Sequence, residues 1–511
     1  MSRKKKLVLN SITSLLYQLV ALMCGFVLPR VFLSTYGSTV NGLVSSIAQF
    51  LGFISLCEMG VGVVIQSTLY KPLATGDMLG VSKVVISSER FFRKIAYILV
   101  VYTLVLMVAY PFVTVDDFDY HYTMLLILVM SISTFAQYYF GMTYRLILSA
   151  DQLGFIHYSV HSITLILNMI ACIVLMSLGA SIHFVKLASS LIFLLQPLVI
   201  ASVAKRRYKI DYSIVLIEEP IKQKWNGLSQ HIAGVVLGNT DVVVLTIMST
   251  LENVSIYAVY HLVVNGVKQI ILSLTSGMQA MLGNMLVKRE TDILNQTFDF
   301  FEWTVHTLVT LVFSITSILI IPFVSVYTSG ITDVNYIVPT FAYLITLAQA
   351  IYCLRLPYNI MVLAAGHYKQ TQWSAIIEAS INIIVSVVTV YRFGLVGVAV
   401  GTLIAMLYRT YYLAWYLRKN IINRNFKNYL KHMLVDAISV FVFWWYISVI
   451  PNLYTLSSQT YLAWFWLAVK VGITAILLAI FVNLLFYRSF IAKIVRMVSK
   501  WIRKCMSNIT N

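Results

Sequence analysis

The residues that could do chemistry in this 511-residue chain are ionisable side chains set inside apolar runs. Charge is costly there and is normally kept for a cavity, a partner or an ion path. The cations are Arg30, Arg145, Lys186, Lys268, Arg355 and Arg409, and the anions are Glu58, Asp241, Glu302, Glu378 and Asp436. An arginine fork suits phosphate because it donates two parallel hydrogen bonds. Arg30 follows Pro29. Lys268 has Asn265 and Gln269 beside it, and Arg355 precedes Pro357, which can kink a helix and free backbone polar groups. Arg30, Lys268, Arg355 and Arg145 are therefore candidates for a cationic cavity that binds an anion such as a phosphate. The competing readings are snorkelling of Arg30, Lys186 and Arg409 to headgroups, and a purely topological role for Arg145.

Glu58, in Glu-Met-Gly-Val-Gly, and Asp241, in Asn-Thr-Asp, are candidates for balancing a cavity cation or carrying a coupling ion, with Glu378 similar. The alternative is an internal ion pair that only holds helices together. His157, His161, His231 and His261 read as hydrogen-bonded helix residues. The cysteines Cys24, Cys57, Cys172, Cys353 and Cys505 have no CxxC or metal-ligand spacing and read as reduced thiols.

The elements that carry these residues follow from composition. The chain is 59% hydrophobic and 11% charged, far from a soluble domain. Apolar runs of bilayer-spanning length recur about fourteen times, which predicts an all-α polytopic membrane protein. They begin near Leu7, Leu43, Lys94, Thr123, Phe155, His183, Trp225, Val254, Phe300, Tyr336, Thr371, Leu395, His432 and Tyr461. The first run has no small-residue cleavage site after it and reads as a retained span. The longest expected connections are Lys71–Arg93, Lys205–Lys224 and Arg418–Lys431. Trp444, Trp445, Trp464 and Trp466 fit an interfacial belt, and Gly234–Gly238 and Gly397–Gly401 fit close helix crossings.

Lys and Arg fall on alternate connections. The segments Ser34–Gly42, Asp116–Tyr122, Thr250–Asn253, Thr328–Asn335 and Pro451–Thr460 hold none, and Arg392 breaks the pattern. Asp116, Asp117 and Asp119 lie on the same lysine-free side. The positive-inside rule then places both termini in the cytoplasm. The +18 net charge is topological and faces anionic headgroups, so nucleic acid is not needed to explain it. Leu148-Ser-Ala-Asp-Gln-Leu-Gly-Phe and Leu363-Ala-Ala-Gly-His-Tyr-Lys-Gln, with Gly179 against Gly394 and Asn168 against Asn382, suggest a parallel repeat. The expected division is an N-lobe over 1–204, a linker over 205–224, a C-lobe over 225–419, two further spans over 420–487, and a basic amphipathic tail over 488–511. In that tail Ile491, Ile494, Val495, Val498, Trp501 and Ile502 alternate with basic residues, as in a helix lying in the headgroup layer.

Several stretches carry a family likeness. They are Leu28-Pro-Arg-Val-Phe-Leu-Ser-Thr-Tyr-Gly-Ser-Thr-Val-Asn-Gly-Leu-Val-Ser-Ser-Ile, Ser55-Leu-Cys-Glu-Met-Gly, Leu69-Tyr-Lys-Pro-Leu, Asn239-Thr-Asp, Val254-Ser-Ile-Tyr-Ala-Val-Tyr and Ala364-Ala-Gly-His-Tyr-Lys-Gln. From about Lys4 to Lys419 the chain resembles bacterial polysaccharide-biosynthesis proteins, the repeat-unit flippases for O-antigen and capsule. They fall within the multidrug/oligosaccharidyl-lipid/polysaccharide (MOP) exporter superfamily. The resemblance implies two six-helix bundles around a cavity, alternating access, a bacterial inner-membrane location and an undecaprenyl-diphosphate-linked oligosaccharide as cargo. Polysaccharide polymerase and other assembly proteins are implied partners. The alternatives are a cation-coupled drug exporter of the same superfamily and a membrane polymerase or glycosyltransferase. The third lacks the loops and paired carboxylates that such enzymes use. There is no Gly-x-x-x-x-Gly-Lys-Ser/Thr loop, so the drive expected is H+, Na+ or the membrane potential, with no cofactor.

Overall fold

A computed structural model of the chain describes residues 3–58, 60–214, 228–422, 424–451, 455–456 and 458–492. Among these residues all regular structure is helical. A chain surrounded by hydrocarbon has no water for its backbone, so each apolar run must satisfy its own N–H and C=O groups as helix. The helices are α1 (Arg3–Gly52), α2 (Val61–Thr75), α3 (Met78–Ala109), α4 (Tyr120–Ala136), α5 (Met142–Ala150), α6 (Gly154–Ser177), α7 (Ile182–Arg207) and α8 (Leu228–Met248). They continue as α9 (Leu251–Thr275), α10 (Met278–Val287), α11 (Thr291–Tyr327), α12 (Pro339–Leu354), α13 (Leu356–Ala364), α14 (Gln372–Phe393), α15 (Leu395–Asn420), α16 (Phe426–Val449) and α17 (Tyr461–Phe486).

Thirteen helical stretches among the described residues are long and apolar enough to cross a bilayer. The first, Val8–Glu58, contains a non-helical Gly37 and is two spans, which brings the number to the fourteen expected. The protein is a multi-pass membrane protein. Gly37 has φ 80° and ψ 178°, a region open in practice only to glycine. Directly after it, Asp333 accepts from the Ser38 amide at 2.7 Å and from the Ser38 hydroxyl at 2.9 Å, so the new helix start is capped by a carboxylate.

Two expected connections are largely helix. Lys71–Arg93 reduces to Gly76 and Asp77 between α2 and α3, and α15 and α16 consume most of Arg418–Lys431. Hydropathy marks where a helix meets hydrocarbon, whereas the backbone coil runs on into the headgroup layer, where Lys and Arg are welcome. The linker beyond 214 and the tail beyond 492 lie outside the described residues, as does Cys505. Cys24, Cys57, Cys172 and Cys353 are free thiols.

The chain packs into two compact units. The first is Met1–Ala258 with Gly330–Val334 and Lys369–Val398. In it α6 packs on α1 and α7, α4 on α3 and α7, and α8 on α14. A Cβ on Gly397 would stand 2.5 Å from the Thr389 carbonyl oxygen, so this glycine serves a close crossing as expected. Gly234 and Gly238 do not: space for a Cβ is open at both. The second unit is Val259–Ser329, Asn335–Tyr368 and Ala399–Asn511. In it α11 packs on α12, α16 and α17. Trp444 and Trp464 are not belt residues alone, since their indole N–H groups reach Ser317 and the Leu319 carbonyl of α11.

Two turns repeat. The Leu153 amide bonds the Leu148 carbonyl with Gln152 at φ 58°, and the His367 amide bonds the Val362 carbonyl with Gly366 at φ 74°. The sequence match pairs Gln152 with His367, and the turn geometry pairs it with Gly366, one residue earlier. In that register a π-helical turn at Gln137–Gly141, which interrupts the fourth span, falls opposite Arg355, where α12 gives way to α13. The first turn is anchored by Asp151. Lys6 donates to its carboxylate at 2.8 Å, Tyr208 at 2.7 Å, and Arg207 stands at 3.6 Å. Burial pushes the Asp151 carboxyl up, yet the Lys6 and Tyr208 hydrogen bonds and the Lys6 and Arg207 charges outweigh it and hold it below the ordinary value.

Gly37→Ala is expected to destabilise the protein by about 1–3 kcal/mol, seen as a lower melting temperature in detergent. Asp151→Asn is expected to melt lower than wild type at pH 7. The depressed carboxyl contributes stability above its unfolded value, so the difference should close as pH falls below roughly 4. A difference that persists there would assign the loss to packing.

Candidate functional site

Two of the four predicted cavity cations meet. Lys268, on α9, places its Nζ 4.5 Å from the centre of the Tyr352 ring, and the Arg355 guanidinium carbon stands 4.2 Å from the same ring. Arg355 lies between α12 and α13, with Pro357 in the first turn of α13, so the break expected from Pro357 is present. Arg355 is buried and Lys268 half-buried. An aromatic face can hold a cation. Two cations on one ring also repel each other, and an anion relieves that repulsion. The chemistry open to this arrangement is the binding of a phosphate or diphosphate by one fork and one point charge.

The other two cations lie in the first unit. Arg30 is half-buried on α1, one residue after Pro29. Arg145, on α5, lines a small cavity with Gln137, Gln196 and Pro197, and lies within electrostatic reach of Tyr17, Tyr138, His157 and His161. Tyr138 donates to Glu58 at 2.5 Å, so Glu58 and Arg145 share a tyrosine. His231 Nε2 bonds the Ser55 carbonyl at 2.8 Å, as expected of a helix histidine. His157 and His161 depart from that expectation. Each buries an Nδ1 atom without a hydrogen-bond partner among the described residues, and His161 instead packs on Tyr17 with ring centres 4.8 Å apart.

Asp241 and Glu378 also belong to the first unit. Asp241, on α8, accepts from Tyr257 at 3.1 Å and from the Asn382 amide at 3.2 Å. Glu378 is buried one turn before Asn382 on α14. Asp241, held by a phenol and an amide, is a buried carboxyl in a polar setting suited to binding a proton. Among the described residues no cluster of three His, Cys, Asp or Glu could hold a metal ion.

The sequence did not reveal a larger polar network in the second unit. It ties Glu302 and His306 of α11 to Tyr358 of α13, to Arg424, and to His432 and Asp436 of α16. Glu302 and Asp436 stood out as intramembrane anions, but their partners lie too far along the chain for spacing to connect them.

The fold is that of a polytopic, helical membrane protein. It is similar to solved structures of MOP-superfamily transporters. A structure of the lipid II flippase MurJ in an inward closed conformation matches with TM-score 0.63 at 17% identity, covering 95% of this chain and all of its own. An inward-facing multidrug resistance MATE family transporter of the MOP superfamily matches with TM-score 0.56 at 14% identity, over 81% of this chain and 99% of that one. The bent form of the Vibrio cholerae MATE transporter VcmN gives 0.51 at 13% identity, over 85% and 96%. No family model and no curated protein sequence matches the chain.

Asp241→Asn and Asn382→Ala are expected to be non-additive in thermal stability. A double-mutant cycle should give a coupling of about 0.5–3 kcal/mol, and a value near zero would mean that the carboxylate is held by other groups.

Proposed function

We propose that this protein is a flippase that moves an undecaprenyl-diphosphate-linked oligosaccharide repeat unit from the cytoplasmic to the outer leaflet of a bacterial inner membrane. The end use is a surface polysaccharide such as capsule, O-antigen or exopolysaccharide. The observation that carries this reading is the convergence of Lys268 and Arg355 on Tyr352. Such a pair suits the diphosphate, the part shared by all such cargoes whatever the sugars. Arg30 and Arg145 are the further cationic candidates, and Glu58, Asp241 and Glu378 the charge-balancing or coupling candidates. Two parallel six-helix lobes, with α16 and α17 added, would rock about the site in alternating access. The whole-length likeness to a lipid flippase supports the reading. The MATE structures cover 81–85% of this chain, which leaves a share large enough for α16 and α17.

The chain has no Gly-x-x-x-x-Gly-Lys-Ser/Thr loop. The membrane potential offers about 2.3 kcal/mol per charge per 100 mV to an anion leaving a negative interior. H+ or Na+ at Asp241 and Glu378 is the other source of drive. Polysaccharide polymerase and other assembly proteins are the partners this role entails. A second reading, a cation-coupled multidrug exporter, is favoured by the buried carboxylates and by the MATE-family fold neighbours.

The two separate in one assay, uptake of labelled undecaprenyl-diphosphate oligosaccharide into inverted membrane vesicles. Wild type is expected to transport, and Lys268→Ala to transport about tenfold less or worse, as follows from losing a charge-assisted hydrogen bond of roughly 1.5–3 kcal/mol. Transport that survives the substitution keeps the flippase and removes Lys268 from the site. No wild-type transport with several cognate glycans, together with cation-dependent drug efflux, favours the exporter.

A further inference from the structure

The polar network on α11 contains a histidine whose protonation is dictated by its neighbours. Tyr358 donates its single hydroxyl proton to Glu302 at 2.7 Å. Its oxygen can then only accept from His306 Nε2, 2.9 Å away. The other ring nitrogen, Nδ1, stands 2.6 Å from Asp436 Oδ2, while Thr310 donates to Asp436 Oδ1 at 2.8 Å. An ionised carboxylate accepts and never donates. Both nitrogens of His306 therefore face acceptors, and the ring must be an imidazolium. Moving the proton onto Asp436 changes its address without removing it, since the pair still holds one proton.

The surrounding charges support this count. Glu302 is fully buried and is held as a carboxylate by Arg424, which also reaches Asp299 at 2.8 Å. His432 meets Glu302 through Nε2 at 3.2 Å and the Tyr487 hydroxyl through Nδ1 at 2.7 Å. A hydroxyl can donate to Nδ1, so His432 is satisfied as the neutral ring. Glu302 then balances Arg424, and Asp436 balances His306. Asp299 sits at the rim with its side chain 40% exposed. The remaining titratable groups around the pair are Tyr429, whose ring packs on Tyr358, and Lys431, which lies over Tyr487. A cavity of about 30 Å³ lies beside the pair, lined by His306, Thr310, Ser314, Asp436, Ser439 and Asn483. Its wall mixes these polar groups with apolar side chains, and it exceeds the roughly 10–15 Å³ that one water needs, so a water there could take the proton.

We propose that the His306–Asp436 pair is a proton-binding site that fastens α16 to α11, and that release of this one proton loosens α16. Without the proton, His306 can donate to Asp436 or Tyr358 but not both, and α16 is left with its bonds through Thr310, His432 and Trp444. The site does not depend on which cargo the protein carries.

The test is hydrogen–deuterium exchange of Phe426–Val449 in the full-length protein in lipid nanodiscs, corrected for the intrinsic pH dependence of exchange. Wild-type protection is expected to fall as pH rises, by up to about tenfold per pH unit, the slope of one proton. His306→Gln, which cannot titrate, is expected to show no such slope. Asp436→Asn removes the acceptor that demands the proton and is expected to be flat as well, so it carries the test if His306→Gln does not fold. A flat wild-type profile, or a slope that persists in either variant, overturns the proposal.

Discussion

Charge in a hydrocarbon-bounded interior has to be answered by a partner, and this constraint sorts the ionisable residues within the spans described above. Glu302 is answered by Arg424, Asp436 by His306, and Asp151 by Lys6 at a turn between spans. Asp241 accepts from Tyr257 and Asn382, and Glu58 from Tyr138. Lys268 and Arg355 are set differently, both against the face of one aromatic ring, which attracts a cation. Two cations on one ring form a setting in which an anion can bind.

The same constraint explains how much of the fold is legible in sequence. Helix number and order follow from apolar length, because a helix is the structure open to a lone apolar segment in lipid. The ends of helices do not follow. α3 starts at Met78, well before the apolar run that begins near Lys94, because Lys83, Arg90 and Arg93 sit on helix that hydropathy reads as connection. Gly37 shows the reverse case. A long apolar stretch is interrupted by a backbone conformation that only the lack of a side chain permits, and its Asp333 cap comes from a distant part of the chain.

Site residues were legible as types and illegible as groups. A charged residue in an apolar run announces itself, so Lys268, Arg355, Asp241 and Glu378 could be named. That Lys268 and Arg355 share Tyr352 could not, because tyrosine is common along the whole chain and α9 and α12 are far apart in sequence. His306 and His432 were passed over for the same reason. A histidine in a span is ordinary, and only the direction of its neighbours' hydrogen bonds makes its charge informative. The repeat was visible but misaligned by a residue, since similarity follows side chains while the turn follows whichever residue takes the left-handed conformation.

The distribution of charge also bears on how transport would be driven. If the diphosphate crosses as a free anion, the membrane potential does work on it directly. If Lys268 and Arg355 neutralise it and travel with it, the moving complex carries little net charge, and the potential does correspondingly less. Drive would then have to come from elsewhere, such as an ion bound at buried carboxylates. The better a cationic site holds its anion, the less the potential contributes. Tight binding and electrical drive thus oppose each other, so a carrier of an anionic lipid that binds its cargo tightly needs a second source of drive.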